Sequence, residues 1–273
     1  MTLIDPATLH ARLSETVVLD ASWHMPATGR DAAAEFLTAH IPGAQRFDID
    51  RVADQESGLP HTLPAPDAFA ATVGAMGVDN AATVTVYEAG PPFSAPRVWW
   101  MFRVMGLDVT ILDGGLARWT AEGFATETGP APPPPAKAFL PSFNPALLAD
   151  ADAVEAALSA GTTVVDVRSP GRYAGEEDEP RPGVRAGHMP GALNLHYATL
   201  IGDDGRLLPR DTLQARLGHL PDGPVITSCG SGVTAAILSL ALHEIGRESA
   251  VYDGSWTEWG ADAARAVIAS NEP

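Results

Sequence analysis

The single cysteine of the chain stands at a position suited to nucleophilic chemistry. The β-branched run Pro224–Ser228 predicts a buried strand that ends directly before Cys229, and an apolar stretch with helical spacing follows the next few residues. Between the two, Gly230-Ser231-Gly232 allows a tight curl, because glycine adopts backbone angles that other residues avoid. Such a curl turns backbone N–H groups and the positive end of the helix toward the sulfur, which favours the thiolate. A reactive thiol is predicted; the alternative is a small buried apolar residue.

Two arginines, Arg172 and Arg181, bracket an acidic stretch that contains Glu176 and Glu179. A guanidinium group can bind a carboxylate through two parallel hydrogen bonds. The residues alone favour a simpler interpretation, in which the acidic side chains pair with both arginines at the surface. The formal net charge is −17, so any anionic substrate needs a local cationic site.

The composition excludes several classes of function. With 273 residues, 45% hydrophobic and 19% charged, the chain is long enough for one large or two ordinary globular domains. The acidic balance argues against nucleic-acid binding. One cysteine excludes an internal disulfide, and no Cys/His cluster has zinc spacing, so neither a metal nor another cofactor is expected. No run of 18 apolar residues predicts a membrane span, and the first residues lack signal-peptide features, so a cytoplasmic location is expected.

The two halves of the chain contain the same motifs in the same order. The matched pairs, with offsets between 140 and 148 residues, are VVLD and TVVDV, HIPGA and HMPGA, VTVYEAG and VITSCGSG, and LDGGLARW and YDGSWTEW. The matched positions are Asp20 and Asp166, His40 and His188, Glu88 and Cys229, and Asp113 and Asp253. Ordered matches at a nearly constant offset indicate a duplicated domain.

Each copy alternates short β-branched runs with helical segments. This alternation predicts an α/β fold of two tandem domains, each a mainly parallel sheet flanked by helices. Four consecutive prolines, Pro132–Pro135, favour an extended chain and predict a semi-rigid linker. The predicted domains are residues 1–128 and 143–273, joined by a linker of residues 129–142. The alternative for the proline run is a long surface loop within one domain.

The first copy lacks the predicted nucleophile. Glu88 stands where the second copy has Cys229, and the loop after it, AGPPF, has no glycine curl comparable to CGSG. A carboxylate cannot perform the sulfur chemistry of a thiol. The first domain is therefore predicted to be catalytically silent, retained for packing and as one wall of a cleft between the domains.

Six segments, taken together and in order, resemble the tandem-domain rhodanese superfamily of sulfurtransferases over essentially the whole chain. They are LDASW, AHIPGAQRFDID, APRVWWMFRVMG, GHMPGALNL, CGSGVTA and YDGSWTEW. Within the superfamily, CGSGVTA resembles the loop of the 3-mercaptopyruvate branch, because the thiosulfate enzymes usually carry cationic residues directly after the cysteine. Gly230 and Ser231 occupy those places here. The resemblance further implies that Arg172 and Arg181 hold a substrate carboxylate.

This resemblance implies a sulfur transfer in two steps. Cys229 takes the sulfur of 3-mercaptopyruvate as a persulfide and pyruvate leaves; cyanide, a small thiol or a thioredoxin-like dithiol then accepts the sulfur. The loop N–H groups from Gly230 to Thr234, with Gly232 and Val233 among them, are expected to stabilise the anionic persulfide.

The resemblance also implies a serine–histidine–aspartate proton relay. Its members map onto Ser231 of the loop and onto His61 and Asp50 of the first domain, which would complete the site across the cleft. By itself a histidine in SGLPHTLP is more simply a loop residue. Arg185 is a weaker candidate, for a gate or a structural role.

Three other functions were weighed. Phosphatases of the same fold need an arginine six positions after the cysteine, where this chain has Ala235. A non-catalytic sulfur carrier or binding module is disfavoured because the second copy keeps both Cys229 and its glycine curl. Thiosulfate sulfurtransferase, with the same fold and the same persulfide, is the nearest alternative. It is less favoured because a loop without lysine or arginine attracts the thiosulfate dianion less strongly.

Overall fold

A computed structural model describes residues 2–270, which form two compact units. Unit 1 comprises residues 2–55, 63–144 and 203–206, and unit 2 comprises residues 56–62, 145–202 and 207–270. The units follow the two sequence copies except at two short segments. Residues 56–62 of the first copy belong to unit 2, and residues 203–206 of the second belong to unit 1. Each unit therefore includes one short segment from the other half of the chain.

Unit 1 is built on a parallel sheet. Its strands are β1 (Leu3–Ile4), β2 (Thr16–Asp20), β3 (Gln45–Arg46), β4 (Thr83–Tyr87) and β5 (Thr110–Leu112). The order across the sheet is β1-β5-β4-β2-β3, with parallel neighbours throughout. The helices are α1 (Pro6–Ala11), α2 (Ala32–Thr38), α3 (Ile49–Val52), α4 (Pro66–Ala75), α5 (Ala95–Val104) and α6 (Gly115–Ala121), with 3₁₀ turns at Leu13–Glu15 and Pro26–Thr28.

Unit 2 repeats this plan. Its strands are β6 (Leu148–Ala149), β7 (Thr163–Asp166), β8 (Leu193–Asn194), β9 (Val225–Ser228) and β10 (Ser249–Tyr252). Their order is β6-β10-β9-β7-β8, again with parallel neighbours. The helices are α7 (Ala151–Ser159), α8 (Pro170–Ala174), α9 (Arg210–Leu217), α10 (Ala235–Glu244) and α11 (Ser255–Ala261), with 3₁₀ turns at Pro145–Leu147 and Tyr197–Leu200.

The identical strand order of the two sheets is the structural counterpart of the sequence duplication. Asp20 ends β2 and Asp166 ends β7, while Glu88 and Cys229 directly follow the central strands β4 and β9. All four residues of β9 are buried, as expected for a β-branched strand of a covered parallel sheet. The predicted α/β fold class, with two tandem parallel-sheet domains, is confirmed.

The proline-rich segment is extended and packs along unit 1. The N–H of Lys137 donates to the carbonyl of Gly74 at 2.9 Å, and a side chain at Gly74 would collide with the Lys137 carbonyl. Farther along, the amide side chain of Asn80 pairs with both the N–H and the carbonyl of Leu140, each at 2.8 Å. Hydrogen bonds to the ordered surface of unit 1 therefore fix this connecting segment.

Candidate active site

Cys229 lies at the base of the loop that joins β9 to α10. The loop runs from Gly230 to Thr234, and Gly232 has a φ of 77°, in the left-handed region that glycine tolerates. The predicted succession of strand, glycine turn and helix is confirmed, although Val233 lies in the turn, ahead of the helix. Only 2% of the surface of Cys229 is exposed, so a substrate has to approach within the loop to reach the sulfur.

The first turn of α11 fixes the start of this loop. The N–H of Cys229 donates to Oγ of Ser255 at 3.1 Å, and that hydroxyl donates to the carbonyl of Tyr252 at 2.7 Å. Thr257 donates its N–H and its hydroxyl to the carbonyl of Gly230, at 2.8 and 2.6 Å. Ser255 has a φ of 49°, a costly conformation for a non-glycine residue that these bonds maintain. The motif YDGSWTEW marked this segment, but sequence reasoning gave neither Ser255 nor Thr257 a role.

Four N–H groups of the loop are available to an anion. The N–H groups of Gly230, Ser231, Val233 and Thr234 donate to no acceptor within residues 2–270. Successive N–H groups in a curled segment that leads into a helix form a site for negative charge.

The corresponding loop of unit 1 binds a negative group of its own. Glu88 accepts the N–H groups of Phe93, Ser94 and Ala95 at 2.8, 2.9 and 3.1 Å, and the hydroxyl of Ser94 at 3.1 Å. These donors lie five to seven positions after Glu88, in the turn that leads into α5. Thr234 lies five positions after Cys229 in the matching turn. The loop architecture that the two copies share therefore places backbone N–H donors at the end of the central strand.

Burial and hydrogen bonding act on Glu88 in opposite directions. Burial raises the pKa of Glu88 to about 7, because removal from water penalises the carboxylate. The donors from Ser94, Phe93 and Ala95 act to lower that pKa, but their effect is the smaller. Glu88 is thus enclosed by its own loop, and the catalytic silence of the first copy stays a prediction.

Arg172 lies beside the loop that follows Cys229. Its helix α8 starts with Ser169 as N-cap, whose Oγ accepts the Arg172 N–H at 3.4 Å. Nη2 of Arg172 lies 3.1 Å from the point that a Cβ on Gly230 would occupy, so glycine leaves the room that the guanidinium fills. Glu179 accepts Nε and Nη2 at 3.2 and 2.5 Å, so this arginine does pair with the acidic stretch, but through a carboxylate that is only 4% exposed. Nη1 donates to no acceptor in the described part of the chain, so one edge of the guanidinium remains for a ligand.

Arg181 and Arg185 occupy different surroundings. Nη1 of Arg181 lies 3.5 Å from Oγ1 of Thr257, the residue that binds the Gly230 carbonyl, so Arg181 lies near the same loop. Arg185 instead donates from Nε to the carbonyl of Gly260 at 2.9 Å and from Nη2 to that of Trp259 at 3.2 Å. Arg185 is therefore bound to the end of α11, which favours the structural role.

The structure brings His61 to Ser231. Nδ1 of His61 and Oγ of Ser231 are 3.0 Å apart, although 170 residues separate them in sequence. His61 belongs to the segment 56–62 of unit 2, is buried, and has a φ of 63°. Asp50 belongs to unit 1, where its carboxylate accepts Nε1 of Trp23 at 2.8 Å.

Tyr197 is a residue of the same unit to which sequence reasoning gave no role. Its pKa is raised, mainly because partial burial disfavours the charged form and to a smaller extent by the electrostatic effect of Cys229. The neighbouring His196 has a lowered pKa because partial burial disfavours its cationic form. Both follow β8, which ends beside β7. The segment NLHYATL gave no signal of this beyond its position after a strand.

Within residues 2–270, no three His, Cys, Asp or Glu side chains are grouped so that they could hold a metal ion. In the same part of the chain, no helix is long and apolar enough to cross a membrane.

Fold and site together define a class of protein: tandem α/β domains in which one copy carries a cysteine at the head of an anion-binding loop. The sequence profile of the rhodanese-like domain matches residues 5–122 and 150–262, and the chain belongs to this family. It is 42% identical to a 3-mercaptopyruvate sulfurtransferase of Escherichia coli K12 over 256 residues, covering 91% of this chain and 90% of that protein.

A second relative and a solved structure are similar over most of this chain. The chain is 40% identical to thiosulfate/3-mercaptopyruvate sulfurtransferase 1, mitochondrial, of Arabidopsis thaliana, covering 92% of this chain and 74% of that one. The crystal structure of SseA from Escherichia coli, a 3-mercaptopyruvate sulfotransferase, superposes with a TM-score of 0.85 at 38% identity, covering 94% of this chain and 99% of that chain.

Proposed function

We propose that this protein is a 3-mercaptopyruvate sulfurtransferase that works through a persulfide on Cys229. The carrying observation is the single thiol at the base of a loop with free N–H donors, beside a guanidinium edge that is free to bind a carboxylate. The names of the relatives support the same donor.

The first step forms an S–S bond and breaks a C–S bond. The Cys229 thiolate attacks the sulfur of 3-mercaptopyruvate, and the electron pair of the C–S bond passes to carbon. Pyruvate leaves as its enolate and takes up a proton, while the transferred sulfur remains on Cys229. In the second step, cyanide, a small thiol or a thioredoxin-like dithiol attacks the outer sulfur and regenerates the thiolate.

The loop stabilises the persulfide through backbone donors. Within residues 2–270 the N–H groups of Gly230, Ser231, Val233 and Thr234 have no acceptor, and Gly232, with its φ of 77°, gives the loop its curl. The matching loop of unit 1 also turns backbone donors toward an acidic side chain, since Glu88 accepts N–H groups from the residues five to seven positions after it. Charge-assisted hydrogen bonds of this kind are about twice as strong as neutral ones.

Arg172 and Arg181 bind the substrate carboxylate in this proposal. Arg172 supplies the guanidinium edge at Nη1, next to Gly230, and Arg181 approaches the same loop through Thr257. Carboxylate recognition favours 3-mercaptopyruvate over thiosulfate. The Arabidopsis relative is named for both donors, so we express the preference as a ratio of kcat/KM values.

The Ser231–His61 pair is proposed to move the proton that the enolate requires. The 3.0 Å contact between Oγ and Nδ1 is within the range for proton transfer. We keep Asp50 as the proposed third member of the relay on the basis of the family resemblance alone. The acceptors and the cytoplasmic location also remain predictions.

Steady-state sulfur transfer to cyanide, with 3-mercaptopyruvate and thiosulfate compared on one preparation, tests the proposal. A large kcat/KM advantage for 3-mercaptopyruvate is expected. The reverse ratio would assign the protein to the thiosulfate enzymes with the persulfide intact. Absence of turnover with either donor would refute an enzymatic function.

A further inference from the structure

A chain of alternating charges runs from the core of unit 2 to the catalytic loop. Nε and Nη2 of Arg168 donate to Asp166 at the end of β7, the shortest contact being 2.5 Å. Nη1 of the same guanidinium donates to Oε1 of Glu179 at 2.6 Å. Glu179 in turn accepts Nε and Nη2 of Arg172. The side chains of Asp166, Arg168 and Glu179 are 0, 1 and 4% exposed and that of Arg172 is 20% exposed, so the charge chain leads from buried to accessible groups.

The buried end of this chain is rigidly anchored. Nη2 of Arg168 also donates to the carbonyl of Gly187 at 2.7 Å, and its Cζ lies 4.4 Å from the ring centre of Trp256. Burial acts to lower the pKa of Arg168, but the carboxylates of Asp166 and Glu179 outweigh it and raise that pKa. Arg168 thus remains a cation that holds Glu179 in one position.

We infer that Glu179 is a positioning residue for substrate recognition, acting through Arg172. Two of the three guanidinium nitrogens of Arg172 donate to Glu179, and this fixes the plane of the group. The third nitrogen, Nη1, lies 3.7 Å from the point that a Cβ on Gly230 would occupy, and within residues 2–270 it donates to no acceptor. A guanidinium held in this way loses little conformational entropy when it binds a carboxylate.

If Glu179 only neutralised the charge of Arg172, its removal would change KM in the opposite direction. If Glu179 merely offset the charge of Arg172, its removal would strengthen carboxylate binding and lower KM. If Glu179 orients Arg172, its removal weakens binding although the site becomes more positive. The two roles therefore differ in the sign of the change in KM.

The inference rests on the proposed function, and Glu179→Gln tests it. The amide keeps the size of the side chain but cannot accept hydrogen bonds at both ends. We expect KM for 3-mercaptopyruvate to rise about tenfold, the effect of one lost charge-assisted hydrogen bond, with kcat changed less than about twofold. The inhibition constant of pyruvate should rise in parallel, and discharge of preformed persulfide by cyanide should be unchanged.

Two further variants separate positioning from folding. Glu176→Gln removes the same charge from an exposed neighbour and should leave KM unchanged. Glu179→Asp keeps the charge on a shorter side chain and should give an intermediate KM. A KM for Glu179→Gln that is unchanged or lowered would overturn the inference. So would a loss of activity that is fully explained by a smaller fraction of folded protein.

Failure of the proposed function is recognisable separately. Wild-type turnover of 3-mercaptopyruvate tests that function alone. Calorimetric titration of wild type, Glu179→Gln and Glu176→Gln with pyruvate tests the carboxylate site without any chemistry. Weaker pyruvate binding by Glu179→Gln alone supports the inference whatever the donor proves to be, and equal binding by all three proteins refutes it.

Discussion

Glu88→Gln should change how the stability of unit 1 depends on pH. The wild-type carboxylate is enclosed by its own loop, and burial raises its pKa to about 7, from a usual value of 4.5. Between these two pH values the folded protein binds a proton that the unfolded chain has already released. The contribution of Glu88 to stability is therefore fully present below pH 4.5 and is lost as the pH rises through about 7.

The size of this effect follows from the pKa difference. Each pKa unit corresponds to about 1.4 kcal/mol, so the contribution of Glu88 falls by about 3 kcal/mol across this window. Glutamine has no charge to lose, so its own contribution is independent of pH. The NH₂ end of its amide faces backbone N–H donors and cannot accept their hydrogen bonds. This lowers the free energy of unfolding by about 1–3 kcal/mol at every pH.

Urea denaturation at pH values from 4.5 to 8, on wild type and Glu88→Gln, gives the free-energy difference between the two proteins. Hydrogen exchange of the Ser94 and Ala95 amides assigns the transition to unit 1. Glu15→Gln, which alters an exposed glutamate of the same unit, is the matched control. The advantage of wild type over Glu88→Gln should shrink by about 3 kcal/mol as the pH rises. An advantage that is constant or that grows with pH would show that the N–H donors outweigh burial, and the reasoning would be wrong.

Three other predictions concern the catalytic unit. Cys229→Ser should abolish transfer from every donor with the circular dichroism spectrum unchanged; loss of the fold would indicate a structural residue. Arg181→Ala should raise KM for 3-mercaptopyruvate about tenfold without slowing discharge of the persulfide, with the two half-reactions measured separately. An equal loss in both half-reactions would contradict a carboxylate-binding role. His61→Gly, which suits the backbone φ of 63°, and Ser231→Ala should each lower kcat about 100-fold. Their double variant should be no worse than either single one, since both remove the same proton path; additive losses would refute the relay.

Several features were predictable because they depend on residues close together in sequence. The run that ends at Ser228, the cysteine and the glycine turn are contiguous, so strand, loop and helix follow from local conformational preferences. The duplication follows from ordered motifs, and the equal strand order of the two sheets confirms it. Arg172 and Arg181 could be named only through family resemblance, since the acidic stretch between them allowed simple pairing.

Other features were decided by the tertiary structure alone. The contact of His61 with Ser231 joins residues 170 positions apart, and it depends on the segment 56–62 packing into the unit of the other half. Glu179 was one carboxylate among several in the sequence, and only burial between Arg168 and Arg172 distinguishes it.

Motif patterns identified the atoms able to react, because a nucleophile and its turn are encoded locally. Orientation of the groups around that nucleophile depends on long-range packing and on which charges lose their water. Neither the orientation of these groups nor the loss of hydration can be calculated from residue types and spacing, because both are set by neighbours that only the folded chain brings together.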